Sequence, residues 1–156
     1  MIRLARKMIS VRDATVDDVA KVTSLCAAHA AYERAVFDSA GHAERLASAI
    51  VSTPPRAVIL LAEIETMVVG YAAIVLEFST WSGRDFLHMD CLFVVETARG
   101  QGVGRCLFDA VLRQARRVDA CEVQWQTPDW NTEAIRFYRT LGAADSAKAR
   151  FVIKTS

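Results

Sequence analysis

Three glycines stand within residues 99–105, in the order Arg99, Gly100, Gln101, Gly102, Val103, Gly104, Arg105. An apolar run over residues 91–95 precedes them, and an amphipathic helical pattern follows from about Val103. Strand, glycine turn and helix start in that order make an anion cradle. Glycine lets backbone N–H groups approach a ligand with no Cβ in the way. The helix start adds N–H donors without helical partners and a partial positive charge, which suits phosphate. Two common phosphate loops do not fit. A P-loop needs Lys-Ser or Lys-Thr after its glycines, and none follows here. A dinucleotide turn needs glycine where Arg105 stands. Arg99 and Arg105 flank the expected phosphate, and the rival reading is a strand-to-helix turn that holds no ligand. Arg113, Arg116 and Arg117 fall in the helix's last turns, where cations suit the macrodipole without any ligand.

A second segment bears on that choice. Residues 131–143 read N-x-x-A-x-x-F-Y-x-x-L-G-A. Asn131 suits a helix N-cap, Ala134, Phe137, Tyr138 and Leu141 share one helical face, and Gly142 suits the left-handed residue that ends a helix. Together with R-x-x-G-x-G at Arg99, Gly102 and Gly104, this segment resembles the paired motifs of the GCN5-related N-acetyltransferases, the GNAT family. The resemblance covers nearly the whole chain after residue 8. It implies acetyl-CoA as acyl donor, with Leu92, Phe93 and Val94 along a strand edge, residues 99–105 at the diphosphate and Asn131 on the pantetheine arm. Capping alone is the rival role for Asn131, and one residue can do both.

The resemblance also makes Tyr138 the general acid for the leaving thiolate. A phenol with pKa near ~10 is nearly balanced against a thiol in that transfer; a core tyrosine is the rival reading. An acceptor ammonium of pKa ~10.4 needs roughly 4–5 kcal/mol to be neutral at pH 7. Asp90, directly or through a water, and His88 are both candidate bases. They share a strand face if no bulge intervenes. A rim carboxylate and a surface histidine are the corresponding structural readings.

Within the family the chain looks closest to the spermidine/spermine and thialysine acetyltransferase branch. The carrying residues are Ala31-Tyr32-Glu33, residues 80–84 with Trp81, the strand over 87–94, and Asp129-Trp130-Asn131. Tyr32, Glu33, Phe37 and Trp81 are the expected walls of an amine pocket. Asp90-Cys91 stands where the branch has Glu-Asp, and Ser79 where it has an acid. Two anionic groups suited to a polycation are therefore missing, and a smaller amine, an amino acid or an aminoglycoside stays open. A protein N-terminus or lysine as acceptor would need an open groove set by the loops at 33–41 and 79–85. A non-catalytic acyl-CoA-binding module would keep the glycine loop and have no need of Tyr138 or Asp90. The branch implies a homodimer, with the apolar residues 151–153 pairing with a partner or finishing their own sheet.

The elements that must position these residues can be read in order. Residues 9–13 read as a strand, and Thr15 to Asp18 resembles a capping box that opens a helix to about Tyr32. A second helix spans about 42–51 and ends at Pro54-Pro55. Residues 57–63 and 67–78 read as a hairpin with a tight turn at 64–66, and residues 79–85 turn the chain into a central strand over 86–95. The main helix follows over 102–118, then a strand at 121–126, a helix at 131–141 and a final strand at 150–154. This order predicts an α/β fold, a mixed and mostly antiparallel sheet with helices on both faces. A splayed parallel strand pair is what the resemblance adds.

Composition bounds the rest. The 156 residues are 53% apolar, enough for one domain with a sizeable core, residues 1–7 being an expected N-terminal extension. No apolar run approaches the ~20 residues of a membrane span, and the basic start leads into no apolar signal region. The net charge of +1 argues against a general nucleic-acid partner. Cys26, Cys91, Cys106 and Cys121 form no metal-binding spacing and no disulfide framework, so they read as small buried thiols in a reducing cytoplasm. No metal is expected.

Overall fold

The computed structural model describes residues 8–155, so the expected extension at 1–7 lies outside the described residues. The described chain divides into two compact units, one ending at Trp125 and one beginning at Gln126.

The first unit is built on a five-stranded sheet in the order β1-β2-β3-β4-β5. β1 (Ile9–Asp13), β2 (Val58–Ile64), β3 (Met67–Ser79) and β4 (Arg84–Val94) pair antiparallel in sequence order, and β5 (Val123–Gln124) joins β4 in parallel. The α/β class and the mixed sheet are therefore as expected. The β2–β3 hairpin closes from Ile64 to Met67, with Glu65 at φ 61 in the left-handed region.

β2 and the first half of β3 are buried on both faces, and the chain supplies a helix for each. α1 (Val19–Tyr32) lays Val22 and Leu25 on Ile59, Leu61, Tyr71, Ala73 and Phe93. α3 (Val103–Arg117) buries Val103, Leu107, Phe108, Ala110, Val111 and Ala115 and lies against β1 through β4. By strand alternation it covers the face of Leu60, Ala72 and Ile74. The approach is close at Gly70, where a Cβ would stand 2.7 Å from the Phe93 carbonyl oxygen and 3.3 Å from Leu107. α2 (His42–Val51) packs on α1.

Two departures concern the edges. The strand expected over 121–126 is regular only at Val123 and Gln124. Its parallel ladder holds two pairs, Leu87 with Val123 and His88 with Gln124, while β4 runs on to Val94. In the second unit, α4 (Thr132–Thr140) is as expected, but residues 150–154 form no strand. Phe151, Val152 and Ile153 are 91%, 77% and 87% exposed. An apolar triplet has β propensity, yet a strand exists only where a ladder partner does.

Candidate active site

β4 delivers the chain to the glycine turn through a short 3-10 turn, Glu96–Ala98. Gly100 and Gly102 then take φ of 72 and 90, left-handed values that disfavour any side chain. A Cβ added to either would meet nothing within 4 Å, so the space before both glycines is open. Gly102 is the N-cap of α3, and the first helical bond runs from Cys106 N–H to the Gly102 carbonyl at 3.0 Å. The N–H groups of Val103, Gly104 and Arg105 precede that bond, at the positive end of a 15-residue helix. The cradle is thus made of main chain. The polar side chains around it are engaged with the protein. Arg105 binds Asp109 at 3.1 Å and Gln101 donates to the Thr97 carbonyl at 3.0 Å. Arg99 Nε donates to the Val94 carbonyl at 2.9 Å, and its guanidinium lies 4.6 Å from the Tyr32 ring centroid and 5.7 Å from that of Phe93.

The candidate bases sit where β4 breaks register. Ile74 pairs with Met89 and Ala73 with Cys91, so Asp90 is an extra residue, a β-bulge. The condition on the shared face of His88 and Asp90 is therefore not met by regular alternation. His88, opposite Val75, and Cys91, opposite Ala73, hold the regular positions of α1's face. The Asp90 carboxylate, on an exposed residue, accepts from Cys91 Sγ at 3.6 Å and interacts with Cys26 on α1.

Asp90 is one end of a cluster that sequence reasoning did not assemble. Its centre is Tyr71, 1% exposed, whose hydroxyl meets the thiols of Cys26 and Cys91 and lies 3.2 Å from His29 Nδ1. His29 Nε2 is 3.2 Å from Glu33 Oε1, and the imidazole stacks on Phe93 at 5.1 Å with an interplanar angle of 22°. Burial, then the neighbouring thiols, push the Tyr71 phenol far above its usual range. Burial pushes the Cys91 thiol up to about 12, and the Asp90 charge adds to it. Both groups stay neutral near pH 7. Tyr32, whose ring is 6.3 Å from that of Phe93, and Glu33, bonded to His29, both lie at this cluster. His29, Tyr71 and Cys26 were missed, although His29 stands four residues before Glu33, the spacing of a helical pair. Phe37 instead packs against the His42 ring at 4.9 Å, and Trp81 is 99% exposed at the β3–β4 turn.

In the second unit Asn131 is buried and caps α4, accepting from Ala134 N–H at 3.2 Å. Gly142, at φ 88, ends the helix. Its N–H bonds the Arg139 carbonyl, and that of Ala143 bonds the Tyr138 carbonyl, which is the Schellman pattern. Tyr138 is half-buried on α4 with its ring 5.3 Å from that of Phe137. Among the described residues no cluster of His, Cys, Asp and Glu could hold a metal ion, and no helix is long and apolar enough to cross a membrane.

A five-stranded mixed sheet whose fourth strand feeds a glycine turn and a helix N-terminus defines a class that the comparisons identify. Residues 22–143 match the family model described as Acetyltransferase (GNAT) family, so the chain belongs to that family. Thialysine N-epsilon-acetyltransferase of Mus musculus is 32% identical over 80 residues, 51% of this chain and 46% of that protein. L-ornithine N5-acetyltransferase NATA1 of Arabidopsis thaliana is 29% identical over 79 residues, 51% of this chain and 35% of that protein. The matched stretch thus spans half or less of these relatives' length. Among solved structures, the aminoglycoside acetyltransferase meta-AAC0020 from an uncultured soil metagenomic sample, in complex with sisomicin, has a TM-score of 0.78 at 18% identity, covering 95% of this chain and 97% of that one.

Proposed function

We propose that the chain is an acetyl-CoA-dependent N-acetyltransferase that acts on a primary amine of a small molecule. The observation that carries this reading is the turn at residues 100–105, where a Cβ at Gly100 or Gly102 would project into open space, the space assigned to a diphosphate. The coenzyme brings an acetyl group already activated as a thioester. Leu92, Phe93 and Val94 lie on the stretch of β4 beyond its ladder with β5 and are assigned to the pantetheine arm. Residues Arg99 through Arg105 are assigned to the diphosphate. Arg99 serves there by bracing the turn against Tyr32 and Phe93, and Asn131 is assigned to the arm by its motif.

Tyr138 is assigned the general acid from its place in the second motif, with a gain of ~10²–10⁴ in rate typical of such groups. Asp90 is the assigned base, directly or through a water, because the bulge offers its carboxylate to solvent; His88 is the second candidate. Glu33 and Tyr32 are assigned to the amine pocket, with Phe37 and Trp81 as further candidates for its wall. The names of the thialysine and ornithine relatives point to the side-chain amine of an amino acid as the first acceptor to try. Four unpaired cysteines support a reducing compartment such as the cytoplasm, and the exposed residues 151–153 support a homodimer. The net charge of +1 supports an enzyme without a nucleic-acid partner.

The test is amine-dependent release of free thiol from acetyl-CoA across a panel of basic amino acids, diamines and aminoglycosides. Titration calorimetry of CoA should show Gly102→Val binding at least ~30-fold more weakly than wild type, about 2 kcal/mol, because the left-handed φ and the new side chain both oppose the cradle. Unchanged affinity would remove the cradle and with it the assignment.

A further inference from the structure

We propose that His29, held by Tyr71, is a positioning residue that sets the carboxylate of Glu33 to receive the acceptor's ammonium group. This rests on the acetyltransferase reading and deepens it.

Glu33 is at an unfavourable place for an acid. It is the C-cap of α1, where the macrodipole favours cations and opposes a carboxylate. The macrodipole therefore does not account for it, and what holds it in the helix's last turn is its i,i+4 partner His29. Its side chain is a third exposed, so one side of it faces solvent. The other side meets His29 Nε2 at 3.2 Å.

The orientation of His29 is fixed three ways. The ring is stacked on Phe93, Nε2 faces Glu33, and Nδ1 faces the Tyr71 hydroxyl. An ionised carboxylate only accepts hydrogen bonds, so Nε2 carries the proton in the neutral ring. Nδ1 must then accept, and the Tyr71 O–H donates to it. Tyr71 can fill that role because its hydroxyl is sealed in the core and stays protonated. The chain of donors thus runs Tyr71 to His29 to Glu33 and has one direction. It leaves the carboxylate accepting from His29 on one side and open to a cation on the solvent side. Deleting the donor frees the Glu33 side chain to rotate, which weakens amine binding and leaves the chemical step alone.

The experiment has two independent parts. The chain has 3 histidines, so the His29 ring nitrogens can be assigned by loss of signal in His29→Gln. Nitrogen-15 spectra of the wild type should show the Nε2–H tautomer, and Tyr71→Phe should shift it toward a mixture. An Nδ1–H tautomer in the wild type would overturn the proposal, whatever the activity. In kinetics, His29→Leu should raise KM for the amine about tenfold, the worth of one charge-assisted hydrogen bond, with kcat and KM for acetyl-CoA within about twofold. His29→Gln keeps an N–H for Glu33 and should recover most of the loss. His29→Leu combined with Glu33→Gln should bind the amine no worse than Glu33→Gln alone, since both act through one carboxylate. Additive losses, or no rescue by glutamine in a protein of wild-type melting temperature, would overturn the role of His29. Absence of turnover by the wild type on the whole panel would instead sink the acetyltransferase reading, and the acceptor role with it.

Discussion

At the scale of single residues, charge is used in two opposite ways. At the start of α1, Asp18 accepts two N–H groups from Arg12 at 2.8 and 2.9 Å and the backbone N–H of Thr15 at 2.8 Å. Those bonds, that from Arg12 first, hold the Asp18 carboxyl well below the usual carboxylate range. A folded pKa below the unfolded one gives stability that is complete above the unfolded value of ~3.9 and is lost as pH falls toward the folded value. Asp18→Asn should therefore lower stability by about 1 kcal/mol at pH 7, discounted because Arg12 is largely exposed, and the gap from wild type should close only in strong acid. Urea melts at pH 7 and pH 2 check both halves. Around Tyr71 and Cys91 burial does the reverse and keeps potential charges from forming. Tyr138→Phe tests a third use. If the phenol supplies the proton to the departing thiolate, kcat should fall about 10²–10⁴-fold with CoA affinity unchanged, read by steady-state assay and calorimetry.

At the scale of elements, the β4-turn-α3 unit is what places the cradle, and Gly70 sets how closely it packs. A methyl group there would press on the Phe93 carbonyl oxygen at 2.7 Å, a backbone atom that can yield only if β4 moves. Gly70→Ala should cost about 1–3 kcal/mol, the range for overpacking, and show as a lower melting temperature. If CoA binding weakens along with it, the cradle is set by the packing of β4 on β3. This unit was legible in advance. Apolar runs, glycine positions and the helical stripe all act within a few residues, and they located Ile9–Asp13, His42–Val51 and the start of α3. The bulge at Asp90 was not, because it exists only as a mismatch between two strands. Likewise nothing near His29 in the sequence points to Tyr71, 42 residues away, which supplies its partner.

At the scale of the whole molecule, the family, the sheet class and the order of elements followed from two motifs and the hydrophobic pattern. The ends did not. Residues 150–154 have strand composition and no strand, since nothing in a single sequence says whether a partner edge is available. The exposed Phe151, Val152 and Ile153 make a definite expectation. Sedimentation should show a dimer for the wild type and a monomer for the chain with Phe151 and Ile153 changed to serine. A wild-type monomer at micromolar concentration would remove the homodimer. A contiguous apolar stretch left on a monomer would also make it prone to self-association.

The irregularity in β4 has one more implication, for how such a protein can change. Losing a residue from a strand ordinarily turns every later side chain to the wrong side of the sheet. Asp90 is surplus to the ladder, with Met89 and Cys91 already matched to adjacent positions of β3. A descendant lacking it would keep Cys91 through Val94 on their present sides and shed only the carboxylate. Heritable shortening at this one point would thus remove the proposed base while sparing the architecture.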